Sequence, residues 1–317
     1  MNIKELVKDA KCIGISGHTH PDGDCVGSTL ALFQYLKNEF PDKETTLYLE
    51  EIPDVFLQLP YAQDINHEVD MNKEFDVYFA LDCADAARLG MFEIHFQNAK
   101  RTICIDHHKS NQAFADENYI VPDASSTCEL VFDCMEKTDI TKDIALCLYT
   151  GLVHDTGVFQ YSCTSAKTME IAGFLMETGI DYSGIIDSTY YEKTFEQNKI
   201  LAKAILDAQR YLNDKVILST LLTETMQEYG VFSKDLDGIV NQLRITKGVE
   251  VAVFIYECGV EEYKISMRSK KTIDVSEIAQ IHGGGGHARA AGITMKGNID
   301  EIKKVILSDL EKAFQNA

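Results

Sequence analysis

Four separated blocks of this 317-residue chain carry the side chains that could do chemistry. They are His18-Thr19-His20-Pro21-Asp22-Gly23-Asp24, then Asp82, then Asp106-His107-His108, then Asp155 within Gly151-Leu152-Val153-His154-Asp155-Thr156-Gly157. Each follows a short apolar segment, so its carboxylates and imidazoles are expected at the edges of buried elements, where α/β sheets place their sites. Mixed oxygen and imidazole ligands suit a pair of Mn²⁺-like ions. Two such ions about 3.5–4 Å apart are a common device for displacement at phosphorus. Asp22 and Asp24 stand two residues apart and can address different ions, with Gly23 allowing a tight turn between them. Taken alone, that segment reads equally well as an Asx-rich turn capping a helix. The other three blocks behind it favour the metal reading.

The elements that must position these groups alternate in type. Residues 12–16, 45–49, 75–81 and 102–105 are apolar runs expected to form buried strands. Residues 25–40, with Leu30, Leu32, Phe33 and Leu36 at helical spacing, predict a helix, as do residues 125–137 and 143–153. Such alternation predicts an α/β fold with a parallel sheet covered on both faces. The pattern changes near residue 190. A long helix is expected at 195–208, strands at 215–222, 249–257 and 261–268, and helices at 235–244, 274–281 and 299–314. We therefore expect a first domain over residues 1–190, a helical connector over 191–212 and a smaller α/β domain over 213–317.

Thirty basic against fifty acidic residues give a net charge of -20. A field of that sign argues against gripping long nucleic acid, because phosphate binding needs a basic surface. It leaves room for a short substrate, since bound metals and a few arginines can invert the field locally. The nine cysteines contain no Cys-x-x-Cys pair and read as reduced packing residues. Lys4, Glu5, Lys8 and Asp9 interrupt the N-terminus, so no secretory signal is expected. No apolar stretch approaches the ~20 residues of a membrane span. The expectation is a soluble cytoplasmic protein with no membrane partner.

A second constellation is Gly283-Gly284-Gly285-Gly286-His287-Ala288-Arg289-Ala290-Ala291-Gly292. Consecutive glycines expose backbone N–H groups and let a ligand approach the main chain, and such nests bind anions. The plainer alternative is a flexible turn. Arg268, in Ser266-Met267-Arg268-Ser269, offers a bidentate donor for phosphate at an expected strand end.

With these motifs in order, the chain resembles the DHH phosphoesterase family in its DHH plus DHHA1 arrangement. Within that family it is most similar to the bifunctional oligoribonuclease/3'-phosphoadenosine-5'-phosphate phosphatases. The resemblance covers nearly the whole chain. It rests on His18-x-x-Pro21-Asp22-x-Asp24-x-x-Gly27-Ser28, Leu81-Asp82-Cys83, Asp106-His107-His108, His154-Asp155-Thr156-Gly157 and the Gly284-Gly285-Gly286-His287-x-x-Ala290-Ala291-Gly292 motif. It implies a parallel Rossmann-like sheet in the DHH domain and a smaller α/β DHHA1 domain. It further implies two Mn²⁺ ions, with Mg²⁺ or Co²⁺ as alternatives. His18 and Asp22 would bind one, Asp24, His107 and Asp155 the other, and Asp82 would bridge. His108 would face the scissile phosphate, with Asp106 orienting the histidines from behind; Asp82, Asp106 and His108 form the implied catalytic set. Arg268, Ser269, Gly284, Gly285, Gly286, His287 and Arg289 would capture the far end of the substrate. His20 is then a neighbour of the ligand His18. His154 falls where the pattern has no ligand, and His67, His95 and His282 match no motif.

The implied activity is manganese-dependent hydrolysis of short oligoribonucleotides, processed from an end, and of 3'-phosphoadenosine-5'-phosphate. The implied partners are such short oligonucleotides or nucleoside bisphosphates, with a homodimer as the assembly. Three alternatives share parts of the pattern. A soluble phosphodiesterase for cyclic di-AMP or its linear dinucleotide pApA would use the same site. A manganese pyrophosphatase shares the metal motifs but has a different second domain, which the His287 motif disfavours. A non-catalytic nucleotide sensor would be expected to lose ligands, and His18, Asp22, Asp24, Asp82, His107 and Asp155 are all present.

Overall fold

The apolar runs of the first half become one parallel sheet. In the computed structural model, which describes residues 1–316, the strands are β1 (Cys12–Ser16), β2 (Glu44–Tyr48), β3 (Val77–Leu81), β4 (Thr102–Asp106) and β5 (Glu117–Ile120). Their order is β2-β1-β3-β4-β5, and every neighbouring pair is parallel. Parallel strands need crossovers, and the first is α1 (Gly23–Glu39), linking β1 to β2. It is buried along nearly its whole length and packs against α3 (Lys142–Asp155), while α2 (Thr127–Asp133) lies beside both. One face of the sheet carries Ile13, Ile15, Phe79, Leu81, Ile103 and Ile105 into this helical layer. The other face buries an aromatic cluster of Tyr48, Phe75, Tyr78, Phe92 and Phe96.

The strand order reverses between β1 and β3, which lie on adjacent tracks although β2 separates them in sequence. In open α/β sheets ligands bind outside the carboxyl ends of the strands at such a switch point. His18 comes two residues after β1, Asp82 directly follows β3, and Asp106 ends β4.

The chain divides into two units, Met1–Glu192 and a second beginning at Lys193. The helix read from the sequence as a connector is α4 (Phe195–Leu206), and its Ile200 and Ala204 are buried with Ile217, Leu221 and Phe254 inside the second unit. That unit holds a mixed sheet of β6 (Gln209–Tyr211), β7 (Val216–Leu221), β8 (Val251–Gly259), β9 (Glu262–Ser269), β10 (Gly285–His287) and β11 (Ala290–Lys296). The order is β10-β11-β9-β8-β7-β6, with β7–β8 as its one parallel pair among the described residues. Alternate residues Tyr263, Ile265 and Met267 of β9 face α5 (Val275–Ile281) and α6 (Ile299–Asn316) through Ile278, Ile302, Ile306 and Leu310. Among the described residues no helix is long and apolar enough to cross a membrane.

Candidate metal centre

The sheet's carboxyl edge gathers the motif residues into three overlapping groups: His18, Asp22 and Asp82; Asp24, His107 and Asp155; and Asp82, His107 and His108. Within each, the candidate ligand atoms lie within 4.8 Å of one another. Asp82 is shared, and its two oxygens are divided. Oδ2 faces His18 Nε2 at 3.5 Å, while Oδ1 faces His107 Nε2 at 3.6 Å and His108 Nδ1 at 3.6 Å. Asp82 also takes a left-handed backbone conformation, φ 56°, unusual for a residue with a side chain. Strain of that kind persists where surrounding contacts over-determine it, and it clusters at functional sites.

Each carboxylate is fixed by its element. Asp22 is the N-cap of α1, its Oδ1 accepting from the N–H groups of Asp24 at 3.1 Å and Cys25 at 3.2 Å. Asp24 is fully buried and accepts from the first N–H groups of α2, Thr127 at 2.6 Å and Cys128 at 2.9 Å. The Thr127 hydroxyl donates to Asp82 Oδ1 at 3.0 Å. Asp155 is the last residue of α3, where the helix dipole disfavours negative charge. Gly151 makes this packing feasible, because a Cβ there would lie 2.2 Å from Cys128 Sγ and 2.7 Å from Asp24 Oδ1.

The histidines are oriented through their Nδ1 atoms. His18 Nδ1 donates to the Thr19 carbonyl at 2.8 Å, and His107 Nδ1 faces the Ala124 carbonyl at 3.3 Å. Both leave Nε2 toward the carboxylates, the usual arrangement behind a ligating histidine. Asp106 was expected to orient the histidines together, but it reaches only His108, whose Nδ1 lies 2.7 Å from Oδ1. The other Asp106 oxygen accepts from Asn111 Nδ2 at 2.7 Å, a partner no motif announced.

The electrostatics fit divalent cations. Burial, then the Asp82 and Asp155 carboxylates, push Asp24 well above the usual carboxylate range. Burial and Asp82 likewise raise Asp155. Burial works to lower His18, yet Asp22 and Asp82 raise it to about 10; Asp155, Asp24 and Asp82 raise His107 to about 11 against the same penalty. Converging carboxylates thus hold protons on groups whose deprotonated forms are metal ligands, and cations would take the place of those protons.

The neighbouring histidines have other roles. His20 is exposed, with φ 57°, and its N–H donates to Glu50. His154 packs over the Gly23 backbone, where a Cβ would lie 2.3 Å from its ring, and burial lowers its pKa to about 4. The Arg88 carbonyl accepts from the Thr19 N–H at 2.7 Å, bracing the first block. His67 and His282 are satisfied by the Leu49 carbonyl and Asp309.

In the second unit, the glycine run differs from a bare nest. The Gly283 and Gly284 N–H groups close α5 on the Gln280 and Ala279 carbonyls, and Gly285–His287 pairs with β11 as a short strand. Gly284 and Gly286 are needed for close approach, since a Cβ would lie 2.2 Å from the Gly292 carbonyl oxygen or 2.4 Å from that of Ala290. Gly285, Gly286 and His287 are exposed. Ser269 is buried and donates to the Ala288 carbonyl, while Arg289 donates to the Ile273 carbonyl at 2.8 Å. Those two hold the hairpin. Arg268 lies on β9 opposite Ala290. A cavity of about 690 Å³ elsewhere in this unit, lined by Met226, Phe232, Cys258 and Val260, contains none of the motif residues.

Residues 12–152 match the DHH family N-terminal domain and residues 213–312 match the DHHA1 domain. The chain belongs to the DHH/DHHA1 phosphoesterase family. It is 27% identical over 309 residues to the bifunctional oligoribonuclease and PAP phosphatase NrnA of Thermus thermophilus, covering 96% of this chain and 91% of that one. It is 25% identical to the protein of the same name from Bacillus subtilis, covering 93% and 92%. The crystal structure of an exopolyphosphatase-related protein from Bacteroides fragilis matches with a TM-score of 0.91 at 29% identity, covering 98% of this chain and 94% of that one.

Proposed function

We propose that this chain is a Mn²⁺-dependent phosphoesterase that hydrolyses short oligoribonucleotides from an end and removes phosphate from 3'-phosphoadenosine-5'-phosphate. The observation that carries the proposal is the division of the Asp82 oxygens between His18 on one side and His107 on the other. The named activities of the NrnA relatives support the choice of substrate. In this reading His18 and Asp22 would hold one ion and Asp24, His107 and Asp155 the second, with Asp82 shared between the two sites; Mg²⁺ or Co²⁺ could take the same places. A bound pair of ions supplies activation of water for in-line attack and neutralisation of the phosphoryl oxygens.

The chain's own groups do the rest. Asp106 holds His108 by Nδ1 and, more than its burial opposes, raises its pKa, so Nε2 is left to donate toward a phosphoryl oxygen. The thiols nearest the centre are not nucleophiles, because burial pushes Cys25, Cys83 and Cys128 well above the usual thiol range. On the second unit, Arg268, His287 and the exposed Gly285-Gly286 backbone are proposed to bind a phosphate or nucleotide of the substrate.

The test is a hydrolysis panel with Mn²⁺, before and after chelation: 3'-phosphoadenosine-5'-phosphate, pApA, a five-nucleotide RNA, cyclic di-AMP and pyrophosphate. Metal-dependent mononucleotide release from the short RNAs is expected. Cleavage of cyclic di-AMP or pyrophosphate alone would overturn the substrate assignment.

A further inference from the structure

Beside the metal centre the structure builds a wall of aromatic rings that the chemistry above does not use. Directly after Asp155, the chain makes a turn in which Gly157, Val158 and Phe159 have φ of 56°, 56° and 62°. A β-branched residue in that region is a genuine outlier. The turn is locked by hydrogen bonds: Val158 N–H to the Val153 carbonyl at 2.8 Å, Tyr161 N–H to that of Thr156 at 2.9 Å, and Phe159 N–H to the Thr156 hydroxyl at 2.9 Å. Its product is the Tyr161 ring, laid so closely over Gly157 that a Cβ there would be 2.4 Å from the ring. Tyr161 is nevertheless 43% exposed.

A second irregular segment meets it. Residues Asp187–Tyr191 form a π-helical turn, closed by the Glu192 N–H on the Asp187 carbonyl at 2.7 Å. Such turns are rare and recur at functional sites. This one places the Tyr190 hydroxyl 3.5 Å from that of Tyr161 and its ring 5.4 Å from the His154 ring. Thr189 donates to the Ile185 carbonyl, so it accepts from His154 Nε2 at 3.0 Å and holds the ring in place. His154 in turn lies against Gly23, between the candidate ligands Asp22 and Asp24. The wall therefore runs from the Asp155 side of the centre to the Asp22 side. Two irregular backbone segments are held in place, and both deliver tyrosines to one edge of the candidate metal centre.

We infer that Tyr161, flanked by Tyr190, is a stacking platform for a nucleobase, and that it makes this centre select nucleotides over phosphoesters lacking a base. The inference rests on the proposed phosphoesterase reading and adds a specificity-determining residue to it. A ring with one face on the protein and the other toward solvent accepts any base, because every base has a π-face. The hydroxyl is not required for stacking, so Tyr161→Phe should retain the function and Tyr161→Ala should lose it.

The experiment is equilibrium titration of the Mn²⁺-loaded full chain with adenosine 5'-monophosphate and with ribose 5-phosphate, which share the sugar phosphate and differ in the base. The wild-type chain and Tyr161→Phe should bind the nucleotide roughly tenfold or more tightly than the sugar phosphate. Tyr161→Ala should bind both with the weaker affinity while its affinity for ribose 5-phosphate stays unchanged. Preference for the nucleotide persisting in Tyr161→Ala, equal weakening for both ligands, or no preference in the wild type would each overturn the inference. These are binding readouts, so failure of the hydrolysis panel alongside an intact, Tyr161-dependent preference would sink the phosphoesterase reading alone.

Discussion

Asp82 concentrates the account into one side chain, since its two oxygens face two different histidines. Its backbone sits at φ 56°, which asparagine tolerates better than most residues. Asp82→Asn should therefore fold with a melting temperature close to wild type yet lose more than about a hundredfold in kcat, because even groups behind metal ligands are worth 10–100-fold. A folded Asp82→Asn chain with wild-type kcat would contradict the bridging role. Asp106 belongs to that supporting shell. Asp106→Asn should lower kcat about 10–100-fold with little change in KM, as His108 loses its anchor while the candidate ligands stay. The clustered side chains were legible in the sequence because each stands just past a buried apolar run. What holds them was not legible. The Thr127 and Cys128 N–H groups under Asp24 lie over a hundred positions away, and Asn111 behind Asp106 belongs to no motif.

The helices and strands around the centre carry predictions of their own. Gly151 of α3 faces Asp24 and Cys128, and Gly151→Ala inserts a methyl where both already stand. Overpacking of this kind costs about 1–3 kcal/mol, so thermal unfolding should shift down and Mn²⁺ affinity should fall with the displaced Asp24; unchanged melting and affinity would contradict the packing. On the opposite face of the sheet, His95 is buried among Tyr48, Phe75 and Tyr78, with an Nε2 that finds no hydrogen-bond partner. Burial lowers its pKa from the ordinary value of 6.5. The folded chain thus resists the proton that the unfolded chain accepts, so stability is full above about pH 6.5 and declines as pH falls through and below it. Chemical denaturation of wild type and His95→Phe at pH 7.5 and pH 5.5 should isolate this share: the stability of the variant relative to wild type should rise on going to pH 5.5. Strands β1, β3 and β4 could be read from apolar runs. β5, spelled Glu-Asn-Tyr-Ile and half-buried, has no such run. β10 has two glycines in three residues and no side-chain pattern to read. The turn at Val158 and Phe159 leaves no mark in sequence either, because neither residue type announces a positive φ.

At the scale of the whole molecule, a net charge of -20 surrounds a centre that must admit phosphates. Cations held at the Asp and His cluster would reconcile the two, and repulsion would grow with every phosphate beyond their reach. Affinity should therefore fall as an RNA lengthens, and a twenty-nucleotide strand should be cleaved more slowly than a trimer; equal rates would contradict it. The division at Lys193 puts the exposed Gly285-Gly286-His287 segment on a separate unit from the metal cluster. Replacing Arg268 by alanine should therefore raise KM for pApA while leaving Mn²⁺ binding intact. The measurement that tests the central claim most directly is a Mn²⁺ titration of the metal-stripped chain, following bound ions per chain and the rate of pApA hydrolysis together. The account predicts no turnover without metal and a rate that rises to its maximum as two ions bind. Turnover by the stripped chain, or a full rate reached at one ion per chain, would contradict it.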